Sequence, residues 1–367
     1  MAITERYVST TGAGAHDGTS EANAYSWAEM VTAINTPTAA GYRYNVKQGT
    51  YSLSATTTIT GDGTTTAPCI IRGYKTTPGD ATLGRTTYGV LDASNMPTIA
   101  YGSTYGLDAS GADYIVFEAL NFTGSHSGYW FRTGNQNLVV NCAFNNANTG
   151  GHIAVLVNTS NTGLVDCDVI SAGTAQAVNI GVGTSYAVGC RIKCSGSGGV
   201  GLQIDQTASA VNNTIYECGG HGISVPSTGS SVTLIGNTVQ GCGGDGIRLA
   251  NGTTGNPRIV GNHLTDNGGY AINFQTSTCS KMLTHNRTRD NTSGAINGGG
   301  DWADGTSIRH VTTDNGTASS DYTASGSQDF SLLSTAVGFQ VGPGWKNNIG
   351  ANGTPAASAG LKGVASA

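Results

Sequence analysis

The chain has 367 residues, 56 of them glycine; only 11% are charged, and the net charge is −5. That balance, with no Lys/Arg cluster, argues against a nucleic-acid partner and mildly against a strongly anionic one, while suiting a neutral glycan. No run approaches the ~18 apolar residues of a membrane span, and no apolar stretch follows Met1-Ala2-Ile3-Thr4-Glu5-Arg6 as in a signal peptide, so neither membrane insertion nor signal-directed export is expected.

Residues 1–40 read as a lead-in segment and a cap. Ser26 and Glu29 have the spacing of a capping box. Trp27, Met30, Val31 and Ile34 share one helical face, so a short helix is predicted, plugging the first turn of a coiled region. Residues 41–300 read as that coil. Val140, Val165, Val188, Val211, Ile235 and Val260 recur every 23 to 25 residues, and so do Phe144, Val169, Ile192, Ile215, Val239 and Leu264. A third column runs Val155, Val178, Leu202, Ile223, Ile247, Ile272. Within each repeat the apolar residues alternate over short segments, which argues strand. A repeat of about 24 residues is too short for a βαβ unit of roughly 30. It suits three short strands per turn of a solenoid, with each turn stacked in parallel on the last.

Polar residues stack as well. Cys142, Cys167, Cys190, Asn213, Asn237, Asn262 and Asn286 lie two positions after the first apolar column, and Cys218, Cys242 and Asn267 make a second ladder. Asn ladders satisfy turn backbone and bond from coil to coil, and Asn tolerates left-handed dihedrals. Cys fills the same inward slot as a small apolar group, so five of the eight cysteines are expected to be core residues, not disulfides. After Gly300 the register fades. Residues 301–351 are expected to form an irregular coil or cap, including Phe330-Ser331-Leu332-Leu333, and 352–367 a flexible tail.

One constellation bears on chemistry. Gln176, Val200, His221, Asp245 and Tyr270 occupy one column in successive coils, and Arg248 projects three residues after Asp245, two coils from Gln203. A His, a carboxylate, a Tyr and an Arg are the parts of a glycan lyase or epimerase, in which Arg neutralises a uronate and His or Tyr moves the C5 proton. His221, Asp245, Arg248 and Tyr270 are therefore the catalytic candidates, and Tyr216, Gln203 and Asn273 the glycan-binding ones. The bland reading of the column is that a turn position tolerates polar residues of any kind. A hydrolase needs two carboxylates about 5 to 9.5 Å apart; Asp205 and Asp245 fall in different columns. Asp168 and Arg191 share an outward column and are expected to be a surface ion pair. Tyr129, Trp130 and Tyr186 join Tyr216 and Tyr270 at turn or outward positions, where aromatic faces stack on sugars or anchor interfaces. No Cys-x-x-Cys or His-x-x-x-His spacing and no Gly-Gly-x-Gly-x-Asp repeat is present, so no metal and no cofactor are expected.

Gly236-Asn237-Thr238-Val239 with Gly243-Gly244-Asp245-Gly246-Ile247 resembles the right-handed parallel β-helix superfamily of pectate-lyase-like enzymes and phage tailspikes. So does the N-terminal sequence Tyr7-Val8-Ser9-Thr10-Thr11-Gly12, then Asp17-Gly18-Thr19, then Val46-Lys47-Gln48-Gly49-Thr50-Tyr51. The resemblance spans most of residues 5–300 and implies an all-β fold, but it is unspecific for function, because lyases, hydrolases, epimerases and virion parts share it. The leading expectation is a structural or recognition rod: a phage tail spike, fibre or capsid decoration, located in the virion and assembled as a homotrimer with itself or other virion proteins. Such a rod would bind surface polysaccharide. The alternative is a polysaccharide lyase or depolymerase working in a groove on the rod, or a secreted surface protein.

Overall fold

Each apolar column in the sequence is a line of strand register in the molecule. The computed structural model describes residues 3–36, 39–81, 91–102, 106–125, 131–157, 159–226, 231–250, 255–275 and 282–298, with the backbone of strands Ile308–Thr313, Tyr322–Ala324 and Asp329–Leu332. Val140 pairs with Val165, then Val188, Val211, Ile235 and Val260 in parallel. Phe144 through Leu264 and Val155 through Ile272 do the same. The result is an all-β parallel solenoid with a turn of about 24 residues.

One turn shows how the repeat is built. Gly163–Val165 runs into a corner, Asp168–Ser171 follows, and Gln176–Ile180 completes the turn. The third strand type forms a ten-stranded parallel sheet, from Thr57–Thr58 to Gly294–Gly298, and the first two types merge into a 21-stranded sheet. The second and third columns are fully buried. The first is not: its valines are half-buried on the outer face, and the core is lined by the residue before each, Val139, Leu164, Ala187, Ala210, Leu234 and Ile259. Alternation along a three-residue strand makes the two assignments indistinguishable by apolarity when both positions are aliphatic.

The corners carry the Asn ladder. Asn237 Oδ1 accepts from the N–H of Asn213 at 3.0 Å and from its Nδ2 at 2.9 Å, and Asn262 and Asn286 repeat the motif. Each Nδ2 also donates to a core-strand carbonyl of the preceding turn. In the earlier turns the thiols of Cys142, Cys167 and Cys190 take over that donor role, to Phe117, Val139 and Leu164 carbonyls. Asn267 supplies the same acceptor to Cys242 N–H, and Asn291 extends this second ladder. Left-handed dihedrals fall not on the ladder residue but on the one before it: Asn141, Asp166, Gly189, Asn212, Gly236, Gly261 and His285, with φ of 51–68°.

At the N-terminal end the helix Trp27–Ile34 forms with its complete capping box, and Trp27, Met30 and Ile34 are buried. Trp27 Nε1 donates to Thr57 Oγ1 at 3.1 Å, tying the plug to the first strand of the ten-stranded sheet. At the other end Ile308–Thr313 pairs in parallel with Met282–Arg289 across a register shift, and Tyr322–Ala324 pairs antiparallel with Asp329–Leu332. Residues 333–367, including the expected tail, lie outside the described residues.

Candidate functional site

The ten-stranded sheet turns two lines of side chains outward. Gln176–Ile180, Val200–Ile204 and Tyr270–Phe274 share one burial pattern: in Val200–Ile204, Val200 and Gln203 face out while Gly201, Leu202 and Ile204 face in. The turn column reads Gln176, Val200, His221, Asp245, Tyr270, Gly294; the pairings Gln176 with Val200 and Tyr270 with Gly294 fix its two ends. The strand column reads Asn179, Gln203, Ser224, Arg248, Asn273, Asn297. Adjacent members of a column sit about 4.8 Å apart, the spacing of hydrogen-bonded strands. His221, Asp245, Arg248, Tyr270, Gln203 and Asn273 therefore share one face, in the column order expected from sequence.

The contacts within this group are specific. His221 Nδ1 accepts from the N–H of Asp245 at 2.9 Å, and Nε2 lies 2.9 Å from Arg248 Nη1. Asp245 Oδ1 accepts from the N–H of Tyr270 at 2.8 Å, and Oδ2 accepts from Asn273 Nδ2 at 2.8 Å. Arg248 Nη2 donates to Gln275 Oε1 at 3.2 Å. Asn273 Oδ1 accepts from Asn297 Nδ2, and Gln203 Oε1 from Gln176 Nε2. Burial lowers the basicity of His221; Asp245 opposes that shift and Arg248 adds to it, and the imidazole is kept below its ordinary value.

Two of the four catalytic candidates thus have a backbone task. His221 and Asp245 each accept the N–H of the residue one turn further on, in the same column. Val200 and Gly294 have no such acceptor for that bond, and the turn still forms there; the N–H groups of Val200 and Gly294 go to the carbonyls of Ala175 and Asn291 instead. Sequence reasoning missed this coil-to-coil bond. Its signal was a side-chain acceptor one position before a Gly-apolar step, recurring in successive repeats. Asp245 is 8% exposed at its side chain, with both oxygens engaged, whereas His221 is 21% exposed.

Tyr216 does not join this face. It lies on Thr214–Tyr216 of the other sheet, buried, with the Arg191 guanidinium 5.1 Å and the Lys193 ammonium 5.7 Å from its ring centroid. A ring so covered is not placed to stack on a sugar. Asp168 and Arg191 are paired in register as expected, but both are buried, not on the surface; Asp168 Oδ2 accepts from Leu91 N–H at 2.7 Å. Tyr129 and Trp130 lie outside the described residues.

Asp205 lies just past the end of the Val200–Ile204 strand, five positions along the register from Asp245 and two turns away, on the order of 15–20 Å at ~3.3 Å per residue. That exceeds the reach of a two-carboxylate hydrolase. Burial pushes the Asp205 carboxyl up to about 6, partly offset by Gln203. Among the described residues no three His, Cys, Asp or Glu side chains converge as metal ligands, and no helix is long and apolar enough to cross a membrane.

Residues 154–293, which hold all the site candidates, match a family model described as a right handed beta helix region. Among solved structures, pectate lyase Pel9A superposes with a TM-score of 0.63 at 15% identity, covering 96% of this chain and 91% of the lyase. ORF18 of Geobacillus virus E2 gives 0.52 at 13% identity, over 84% of this chain and 60% of that one. AlyGC, an alginate lyase, also gives 0.52, at 12% identity, over 84% and 42%. No curated protein sequence matches the chain. At these identities the likeness is one of fold: this chain is a right-handed parallel β-helix, an architecture on which pectate lyase and virus proteins are both built.

Proposed function

We propose that this chain is a glycan-recognising β-helix rod, used as a virion component, that binds polysaccharide along the outer face of its ten-stranded sheet. The observation carrying this reading is the unbroken outward column Gln203, Ser224, Arg248, Asn273, Asn297, in which every turn offers a hydrogen-bonding side chain. A ladder of amide, hydroxyl and guanidinium groups at ~4.8 Å intervals suits the hydroxyl-rich edge of an extended sugar chain. Tyr270 borders the column and supplies an aromatic face. Supporting recognition over catalysis, His221 and Asp245 are engaged in turn-to-turn backbone bonds, and both Asp245 oxygens are hydrogen-bonded within the face. The virion role draws support from the fold shared with the virus protein ORF18. In that role the rod assembles as a homotrimer.

A second reading, a polysaccharide lyase, is favoured by the near full-length superposition on Pel9A and by the direct His221–Arg248 contact. One sample separates the two. Assembled mass is measured in solution, and the same protein is screened for glycan retention and for absorbance of unsaturated product. A trimer that retains glycan without cleaving it supports the rod. A monomer that releases unsaturated oligosaccharide, and loses the activity on His221→Ala or Tyr270→Phe, refutes it.

A further inference from the structure

The first strand of each turn carries an outward file of aliphatic side chains that takes no part in the glycan-binding face. Val140, Val165, Val188, Val211, Ile235 and Val260 follow one another in register, each half-buried on the outer surface. At ~4.8 Å per turn the file runs for about 24 Å without a polar residue. The corner after each member is two residues long, from Asn141-Cys142 to Gly261-Asn262, so no loop rises there to cover it. Beside the file, Tyr186 lies down over Gly163: a Cβ built on that glycine would sit 2.5 Å from the ring. Leu138 precedes that pair in the same column. The file gives way to polar groups at both ends. Glu118 and Arg72 continue its line before Val140, ion-paired to each other at 3.4 Å, and Thr284 continues it after Val260.

A lone aliphatic side chain on a surface is ordinary, whereas a continuous apolar run marks a contact face. Ile170, 39% exposed on the neighbouring face, is of the first kind, standing between Asn145 and Lys193. The width of the Val140-to-Val260 file selects its occupant. One side chain spans about 7 Å of strand, twice the ~3.3 Å rise per residue, so the file covers on the order of 200 Å². That is far below the ~800 Å² per partner of a face-to-face pair of copies. Around a three-fold axis a narrow file is enough. Each copy turns it inward, and its two flanks, the tight corner and the Tyr186 side, meet the two neighbours. Cyclic symmetry runs the three rods in one direction, so each level of the file meets the same level of its neighbours, aliphatic on aliphatic. We propose that this file is the axial seam of the homotrimer, and that the occupant of the face is further copies of this chain. The inference rests on the homotrimeric reading of the rod and adds the face, the direction and the residues. The outer face of the ten-stranded sheet is a separate side of the solenoid and stays open to a ligand.

The test uses the full chain. Sedimentation equilibrium compares the assembled mass with the 37.2 kDa chain, and the unaltered protein is expected at three chains. Val188→Lys combined with Val211→Lys sets unpaired like charges at the axis and should reduce the mass to one chain with the far-UV circular dichroism unchanged. Ile170→Lys, the same change on the neighbouring face, should leave three chains. Direction is read by cross-linking. In a Cys279→Ser background the seven described cysteines are buried, so Val140→Cys supplies the accessible thiol. Oxidised with diamide, it should link to its counterpart in another copy, and Val260→Cys should do the same, because the rods run alike. Should the two lysines unfold the rod, the cysteine links decide alone. A trimer that survives the lysines folded, or in which neither cysteine links to its counterpart, overturns the seam and leaves the trimer standing. An unaltered protein of any mass other than three chains overturns both, while glycan retention on the other face is decided by its own screen.

Discussion

Replacing Asn237 with Ala tests whether the corner ladder holds the rod together. The Asn237 side chain makes four buried hydrogen bonds: Oδ1 to Asn213 N–H and Nδ2, and Nδ2 to the Ala210 carbonyl and Asn262 Oδ1. Removing it leaves the buried Asn213 N–H without its acceptor, at about 1–3 kcal/mol, and forfeits three further bonds at a net of about 1 kcal/mol each. The expected loss is about 4–6 kcal/mol. Because a solenoid is stabilised turn by turn, the damage should centre on the turns containing residues 213, 237 and 262. Urea unfolding gives the size of the loss, and hydrogen exchange of the Asn213 amide gives its place. Asn237→Cys is the informative companion. A thiol there keeps the donor to the Ala210 carbonyl, as Cys190 does to Leu164, but supplies no comparable acceptor, so it should cost about half as much. A loss under about 1 kcal/mol for Asn237→Ala, with Asn213 still protected from exchange, would refute the ladder as a source of stability.

The Asp205 carboxyl, raised by burial to about 6 from its ordinary 3.8, binds a proton more tightly folded than unfolded. Its contribution is fully present below pH 3.8 and is lost as pH rises through 6. Asp205→Asn should therefore raise the thermal midpoint at pH 7.5 while changing it little at pH 4, and a midpoint lowered at pH 7.5 would contradict the burial argument. The seven described cysteines are free and buried, and burial pushes the thiols of Cys69 and Cys194 up to about 12. In a Cys279→Ser background, a thiol reagent should titrate none of them until denaturant is added, and fast reaction in the native protein would be the contrary result.

Legibility in the sequence tracked how many turns repeated the same physical demand. The Val155-to-Ile272 column and the Asn ladder recur in turn after turn, and both register and burial followed from spacing alone. The capping box was legible because Ser26 and Glu29 act within one helical turn. The direction of the first column was not legible, since Val139 and Val140 are both aliphatic and apolarity does not show that Val139 is the one that enters the core. Tyr216 misled for a different reason. Alternation sets the face of the strand on which a side chain lies, but not whether Arg191 and Lys193 then close over it.

The turn column of the ten-stranded sheet separates what the fold needs from what it leaves available. Val200 and Gly294 stand at the same position as His221 and Asp245, so the turn closes with no polar side chain at all. Where His221 and Asp245 are present they accept the next turn's N–H, which accounts for one ring nitrogen and one carboxylate oxygen. It does not account for Nε2, and it makes no demand on Arg248, which occupies the other column, where Ser224 and Asn273 serve the stacking equally well. A rod requiring only parallel register makes no use of the 2.9 Å contact between the Arg248 guanidinium and the His221 ring. Function on this face is therefore best sought at the His221 Nε2–Arg248 edge, and a variant that alters that edge should change ligand binding without loosening the solenoid beneath it.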